Sequence, residues 1–444
     1  MKIFEERRRR LMEQMKDGIA VLWGNSLDLR NGDVHYPFRQ NSDFYYLTGI
    51  DEEDCALVLT PGGEQGDFHL FLRPKDPARE TWDGPKIGLD AAKEVYGADN
   101  AHPIADLFTH LQSLMAGRVP IYAACNESPE RTAHLFRCMT AHRTRPKMKQ
   151  PGPDTLVNLR ALLHGMRSVK SEREITFLRR ACEITAAGHR EAMRVAQPGY
   201  YEFQVQAAME FVFRTLGSPR NGYDSIVAGG RNATILHYIQ NDQVLKAGDL
   251  LLIDAGAEFN YFTSDITRTF PVDGSFSPAQ RNVYDIVLQS QRDAIAASTV
   301  GATKDQVHQT AIRTLVQGLI DLKALSGSVD ENIENEGYKR FYMHGTGHWL
   351  GMDVHDAGLY YADGKPVPYE HGTVTTVEPG LYFDQSEDIP EELRGIGIRI
   401  EDDILTTNEG PVNLTHAVPT DADAVEALCQ ERSALMESIP KLPG

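Results

Sequence analysis

Two helices followed by strand-forming runs, an order that occurs twice, constrain the fold of this 444-residue chain more than any other feature. The first helix opens at Ser171. Glu174 completes an S-x-x-E capping box, in which each side chain satisfies an orphan amide of the first turn. The spacing predicts a helix over 172–196, a break at Pro198-Gly199, a second helix over about 202–216, and strands from 225 to 270. Ser277-Pro278-Ala279-Gln280 then restarts the order with a second capping box and Pro at the first helical position. That helix breaks near Gly301, another covers about 304–323, and strands fill 341 to 405. The expectation is an α+β domain of two similar halves, an arrangement that often holds a site between its halves. Before residue 168 the pattern is different. Strand-like runs at 19–24, 55–60, 68–72 and 119–124 alternate with helix-like stretches, as in an α/β domain. The expected domains are therefore 1–168 and 169–444.

Composition excludes several function classes. A formal charge of −18 argues against nucleic acid or an anionic membrane surface as a partner. No window approaches 18 apolar residues, so no membrane span is expected. The opening MKIFEERRRRLMEQM has charges of both signs and no apolar core, unlike a signal peptide. Arg7 to Arg10, beside Glu5, Glu6 and Glu13, read as a solvated helix face. Cys55, Cys125, Cys138, Cys182 and Cys429 are scattered and odd in number, with no CxxC spacing. They read as reduced thiols of a cytoplasmic protein.

The chemistry lies where carboxylates interrupt apolar strands. In LLIDAGAEFNYFTSDITRTF, Asp254 and Asp265 fall in strand-like runs, and Asp265, Thr267 and Thr269 share a face. HGTVTTVEPG runs into Glu378 and is ended by Pro379. In the run GIGIRIEDDIL, read as the final strand, Ile396, Ile398 and Ile400 take one face while Arg399 and Glu401 share the other. A buried carboxylate is costly unless paired or bound to metal. FYMHGTGHWLGMDVHD adds His344, His348 and His355 among glycines, and His237 ends the run ATILHY. The pattern is not HEXXH, so a zincin is excluded. One imidazole with four carboxylates would nearly neutralise two divalent cations, and suits Mn²⁺, Fe²⁺, Co²⁺ or Zn²⁺ more than Ca²⁺ or Cu.

These motifs, in the order IDAG…DITRTF, HGTGHWLG…DVHD, TVEPGLY, GIGIRIEDD, resemble the dinuclear metallopeptidases of the pita-bread (creatinase/aminopeptidase) fold. The α/β N-terminal domain and YPFRQNSDFYYLTG at 36–49 narrow the likeness to the bacterial aminopeptidase P branch. The resemblance implies that Asp254 binds one metal, that Asp265 and Glu401 bridge two, and that His348 and Glu378 complete the other. It favours Mn²⁺, with Zn²⁺, Co²⁺ or Fe²⁺ as alternatives. It gives His237 and His355 hydrogen bonds to the substrate near the scissile bond, and makes Glu378 a proton shuttle. His344, Tyr382 and Arg399 would line the side that receives proline. Asp33 and Trp82 would help to shape the substrate site, partly across a subunit boundary of a homodimer or homotetramer.

The implied reaction releases the N-terminal residue from peptides with proline in second position, using a hydroxide held by the metals. The Xaa-Pro bond is a tertiary amide without an N–H, so a site must be shaped for the ring. A prolidase acting on Xaa-Pro dipeptides is the alternative. A non-catalytic pita-bread binding protein is a further one, although such relatives lose ligands that this chain keeps.

Overall fold

The structure, a computed structural model, describes residues 2–124, 128–143, 152–431 and 433–442, so Cys125 lies outside the described residues. The chain divides into two compact units, Met1–Met166 and Arg167–Gly444.

The first unit is built on a six-stranded mixed sheet. Its order is Asn100–Pro103, Phe68–Leu72, Ala56–Leu59, Ile19–Trp23, Ile121–Ala123, Leu156–Asn158. The four inner strands are the four expected apolar runs, and nearly all of their residues are buried. The two edge strands were not expected. They are short, lack alternation, and exist by pairing in parallel with a neighbour. Arg7 and Arg8 correct the expectation of a solvated face. Both are buried, and they donate to the carbonyls of Tyr46 and Leu47 at 3.0 and 2.8 Å. Those carbonyls lie in the last turn of helix Ser42–Thr48, where orphan acceptors need donors. The charge run thus clamps a helix end. Asp33 sits in the exposed turn between Leu29–Asn31 and Val34–His35. Trp82 is 88% exposed on helix Pro77–Asp83.

The second unit repeats one order of elements. Helices Glu172–Val195 and Glu202–Thr215 precede an antiparallel sheet of Ile226–Gly229, Leu250–Ala255 and Ile266–Pro271. Helices Pro278–Ala297 and Lys304–Asp321 precede a second one of Val374–Val377, Asp402–Thr407 and Gly410–Asn413. The capping boxes at Ser171 and Ser277 both form. Each half has its own core. Met193, Phe213 and Ile253 belong to the first, and Val287, Leu315 and Ile398 to the second. A bridge between Thr267 and Glu401 joins the two sheets.

Two strand expectations need correction. The run 395–405 is not one final strand. It splits into Gly397–Arg399, paired with Gly380–Tyr382, and Asp402–Thr407 in the larger sheet, with Glu401 at the break. Gly410–Asn413 follows it. Residues 341–360 are also not strands but an irregular segment. Its path is set by close backbone approach: a Cβ on Gly347 would lie 2.0 Å from the Thr376 carbonyl oxygen.

One buried ion cluster fastens this segment to the start of the unit. Arg167 Nη2 and Lys170 Nζ reach the two carboxylate oxygens of Asp356 at 2.6 and 2.9 Å. Burial by itself would raise the Asp356 pKa, but the charges of Lys170 and Arg167 outweigh it and hold the carboxyl at about 2. A carboxylate depressed below the unfolded value of about 3.9 stabilises above that pH. The contribution is lost as pH falls from about 4 through about 2. Asp356→Asn is therefore expected to cost about 3–5 kcal/mol at neutral pH, because it removes the buried negative charge that Lys170 and Arg167 share, while Arg167 keeps Asp353 at 2.8 Å. The difference from wild type should shrink in the acid window. Urea midpoints at neutral pH and at about pH 3 check both signs.

Candidate active site

A cavity of about 460 Å³ in the second unit brings together Asp254, Asp265, His348, Glu378 and Glu401. His237, His344, His355 and Arg399 line the same cavity. Each acid is delivered by a different piece of backbone. Asp254 stands near the end of strand Leu250–Ala255, where the register pairs it with Thr267. Asp265 directly precedes the neighbouring strand, two residues from that partner, so the two carboxylates meet diagonally across the ladder. Glu378 follows strand Val374–Val377, and Glu401 lies at the break described above.

The geometry is that of a donor cage. Asp265, His348 and Glu401 each offer a ligand atom, all within 4.8 Å of one another. His348 Nε2 lies 3.4 Å from Asp265 Oδ2 and 3.6 Å from Glu378 Oε1. Its Nδ1 is 3.0 Å from the Trp349 carbonyl, which can only accept, so Nδ1 carries a hydrogen and Nε2 faces the carboxylates. The Thr376 hydroxyl accepts from the His348 amide and donates to Glu378. The Thr267 hydroxyl donates to Glu401 at 2.6 Å. Asp254 and Glu378 stand outside the tightest group, and Asp254 is engaged by Arg399 Nη2 at 2.5 Å.

The side chains alone leave this site short of positive charge. Burial, then the neighbouring acids Asp265, Glu378 and Asp254, push Glu401 well above the usual carboxylate range. Burial also raises Glu378, to about 7, against the pull of His348 and Arg399. It raises Asp254 too. Burial acts on Asp265 in the same direction, but the hydrogen bond and charge of His348 lower it overall. Burial would lower His348, yet Asp265 and Glu378 bring it up to about 9. Four acids held this close without equal opposing charge fit divalent cations, and the mixed oxygen and imidazole donors fit the transition-metal class.

Beside the cage, the Tyr382 hydroxyl meets His344 Nε2 at 2.8 Å and Arg399 Nη1 at 3.0 Å. Burial, then the charge of Arg399, pushes His344 down to about 3, so it is neutral. The His355 ring stands edge-on to His348 with centroids 4.3 Å apart. His237 lies on an exposed loop rather than at a strand end. Buried Glu202 ties this loop down by accepting from the Gly229 and Gln243 amides and the Tyr238 hydroxyl. Asp33 and Trp82 belong to the first unit and are exposed.

Sequence reasoning missed several residues. The Tyr223 hydroxyl donates between Asp254 and Asp265. Asp403 accepts from the Asp265 amide at 3.1 Å and fixes that backbone. Lys304 also lines the cavity. Only Asp403 carried a signal, its place in the acidic run EDD.

The family model for metallopeptidase family M24 matches residues 176–408, and that for the aminopeptidase P N-terminal domain matches residues 4–122. The chain belongs to metallopeptidase family M24. The second match sets it with the aminopeptidase P members of M24. It is 41% identical to a Haemophilus influenzae Xaa-Pro aminopeptidase, with 96% of each chain covered. The structure of a Pseudomonas aeruginosa aminopeptidase superposes with a TM-score of 0.94 at 42% identity over 98% of both chains. A point variant of Escherichia coli aminopeptidase P, solved in complex with substrate, gives 0.93 at 40% identity, covering 96% of this chain and 98% of that one. The second unit accordingly has the pita-bread fold of M24 catalytic domains. No helix among the described residues is long and apolar enough to cross a membrane.

Proposed function

We propose that this chain is an Xaa-Pro aminopeptidase that hydrolyses the bond between an N-terminal residue and proline. The observation that carries this reading is the convergence of four carboxylates and one imidazole, from separate elements, in one cavity with His344 and Arg399. Relatives named Xaa-Pro aminopeptidase support it.

Asp254, Asp265, His348, Glu378 and Glu401 would hold two divalent cations. Mn²⁺ is favoured by the oxygen-rich donor set, and a zinc-substituted E. coli aminopeptidase P supports Zn²⁺ as an alternative. When bound, such ions supply Lewis acidity and ionise water near neutral pH. The side chains do the rest. His237 and His355 donate hydrogen bonds toward the scissile carbonyl, where negative charge develops. Glu378, 3.7 Å from His344 Nδ1, carries a proton from the nucleophile to the leaving proline nitrogen. His344, Tyr382 and Arg399 form a hydrogen-bonded wall for the proline ring. The proline nitrogen has no hydrogen to offer a site built to grip an amide N–H.

The reading further includes a homodimer or homotetramer in the cytoplasm. The buried free thiols of Cys55, Cys138 and Cys182 support a reducing compartment. Trp82, exposed on the first unit, is a side chain that a partner subunit would cover, and with Asp33 it is assigned to shaping the substrate site. Light scattering of wild type and Trp82→Ala tests the oligomer.

The deciding experiment follows release of alanine from Ala-Pro-Ala and from Ala-Pro, with Mn²⁺ and with chelator. Tripeptide cleavage that requires the metal and exceeds dipeptide cleavage at least about tenfold is expected. Preference for the dipeptide would make the chain a prolidase, and no release with any divalent ion would overturn the reading.

A further inference from the structure

One cation in the cavity has no part in the scheme above. Lys304 opens helix Lys304–Asp321 behind the N-cap Thr303, so its backbone is fixed by a capping box. Its side chain lines the same cavity as the five candidate ligands. The ammonium lies 4.2 Å from the centroid of the Tyr360 ring, which holds it by a cation–π contact. Among the described residues no carboxylate comes within 4.0 Å of it. A half-buried ammonium that feels the charge of Glu378 and Asp305 but makes no direct ion pair with either keeps donors available for a ligand. Its direct partner is therefore to be sought in the ligand.

Position identifies which part of the ligand. A Cβ on Gly345 would lie 3.6 Å from Lys304 Nζ, so the ammonium stands against the residue that follows His344. His344 belongs to the proposed proline wall. A peptide that puts its N-terminal residue on the cage and proline on that wall directs its next residue along Gly345, toward Lys304. In a tripeptide that next residue bears the C-terminal carboxylate.

We propose that Lys304 is a specificity-determining residue that receives the C-terminal carboxylate of short peptides and favours tripeptide free acids over longer or amidated chains. This rests on the Xaa-Pro reading. The cavity of about 460 Å³ falls in the size range of sites for small ligands. An ammonium–carboxylate hydrogen bond in a partly desolvated site is worth about tenfold in binding.

The test compares Ala-Pro-Ala with Ala-Pro-Ala-amide on the Mn²⁺-loaded enzyme, wild type against Lys304→Met. Methionine keeps an apolar stem over Tyr360 and removes the charge. The wild type is expected to favour the free acid by about tenfold in kcat/KM, chiefly through KM. In Lys304→Met that ratio should fall to near one, and Lys304→Arg should restore part of it. Calorimetric titration with Pro-Ala and its amide reads the same ratio without turnover. If Lys304 only balances the charge of the carboxylates, both substrates lose equally and the ratio stays at its wild-type value, which overturns the proposal. A wild-type ratio near one overturns it as well, while leaving Xaa-Pro hydrolysis intact. Failure of the wild type to cleave either peptide overturns the underlying reading together with this one.

Discussion

Asp265→Ala is expected to abolish release of the N-terminal residue, lowering kcat/KM for Ala-Pro-Ala by at least about 10⁴. Asp265 is held by several partners in the cage. It meets His348 at 3.4 Å, accepts from Tyr223, and stands with Glu401 in the three-donor group. Its backbone is independently fixed by Asp403, so the substitution removes a ligand without freeing the strand. His348 holds the Asp265 carboxyl below its ordinary range, so the chelated variant should be somewhat less stable than the chelated wild type. The two should differ in their response to metal. Ions at 100 times their dissociation constant stabilise by about 2.7 kcal/mol per site. For a unit of this size that raises the melting temperature by roughly 5–10 °C. The wild type should show this rise on Mn²⁺ addition and the variant little of it. Two bound equivalents with full turnover in the variant would refute the ligand assignment.

Arg268→Met should destabilise the second unit by about 4 kcal/mol or more. Arg268 is 0% exposed on its side chain, directly behind the cage. Its Nη1 donates to the carbonyls of Thr267 and Glu401 at 2.9 and 2.6 Å. Its Nη2 donates to Asp402 at 2.7 Å and to the Val418 carbonyl at 3.0 Å, and Nε reaches the Pro419 carbonyl at 3.1 Å. Methionine fills most of the volume but leaves four carbonyls and one buried carboxylate without these donors. The expected fall in melting temperature is roughly 8–16 °C. Because the Glu401 carbonyl is among the orphans, Mn²⁺ affinity should fall with it. Adding Asp402→Leu removes the stranded charge and should recover part of the loss, though Gln291 and Thr415 then lose their shared acceptor. A single-variant loss below about 1 kcal/mol would show that this buried pair is not what holds the two sheets together at the site.

How far these residues could be read from the sequence depended on the range of the signal. Capping boxes are local, four residues long, and those at Ser171 and Ser277 formed as read. Period-two patterns in 396–401 sorted Ile398 and Ile400, which sit in the core of the second half, from Arg399 and Glu401, which line the cavity. They could not say that the polar face is buried too, since that follows from the cavity closing over it. Nor could they show the break at Glu401, where the backbone leaves one sheet and enters another. Arg7 and Arg8 looked solvated because their acceptors lie 39 residues away.

The sequence by itself determined the inventory: where the four long helices of the second unit start, which strand-like runs carry acids, and that four carboxylates and several histidines need a compensating cation. It did so because capping and side-chain periodicity are written in neighbouring residues. Only the tertiary structure decided the assignment of neighbours. It put Tyr223 between two acids, Arg268 behind Glu401, and Lys304 over Tyr360. Those contacts join residues 31 to 133 positions apart, and distance along a chain carries no information about proximity until the cores of the two halves have packed.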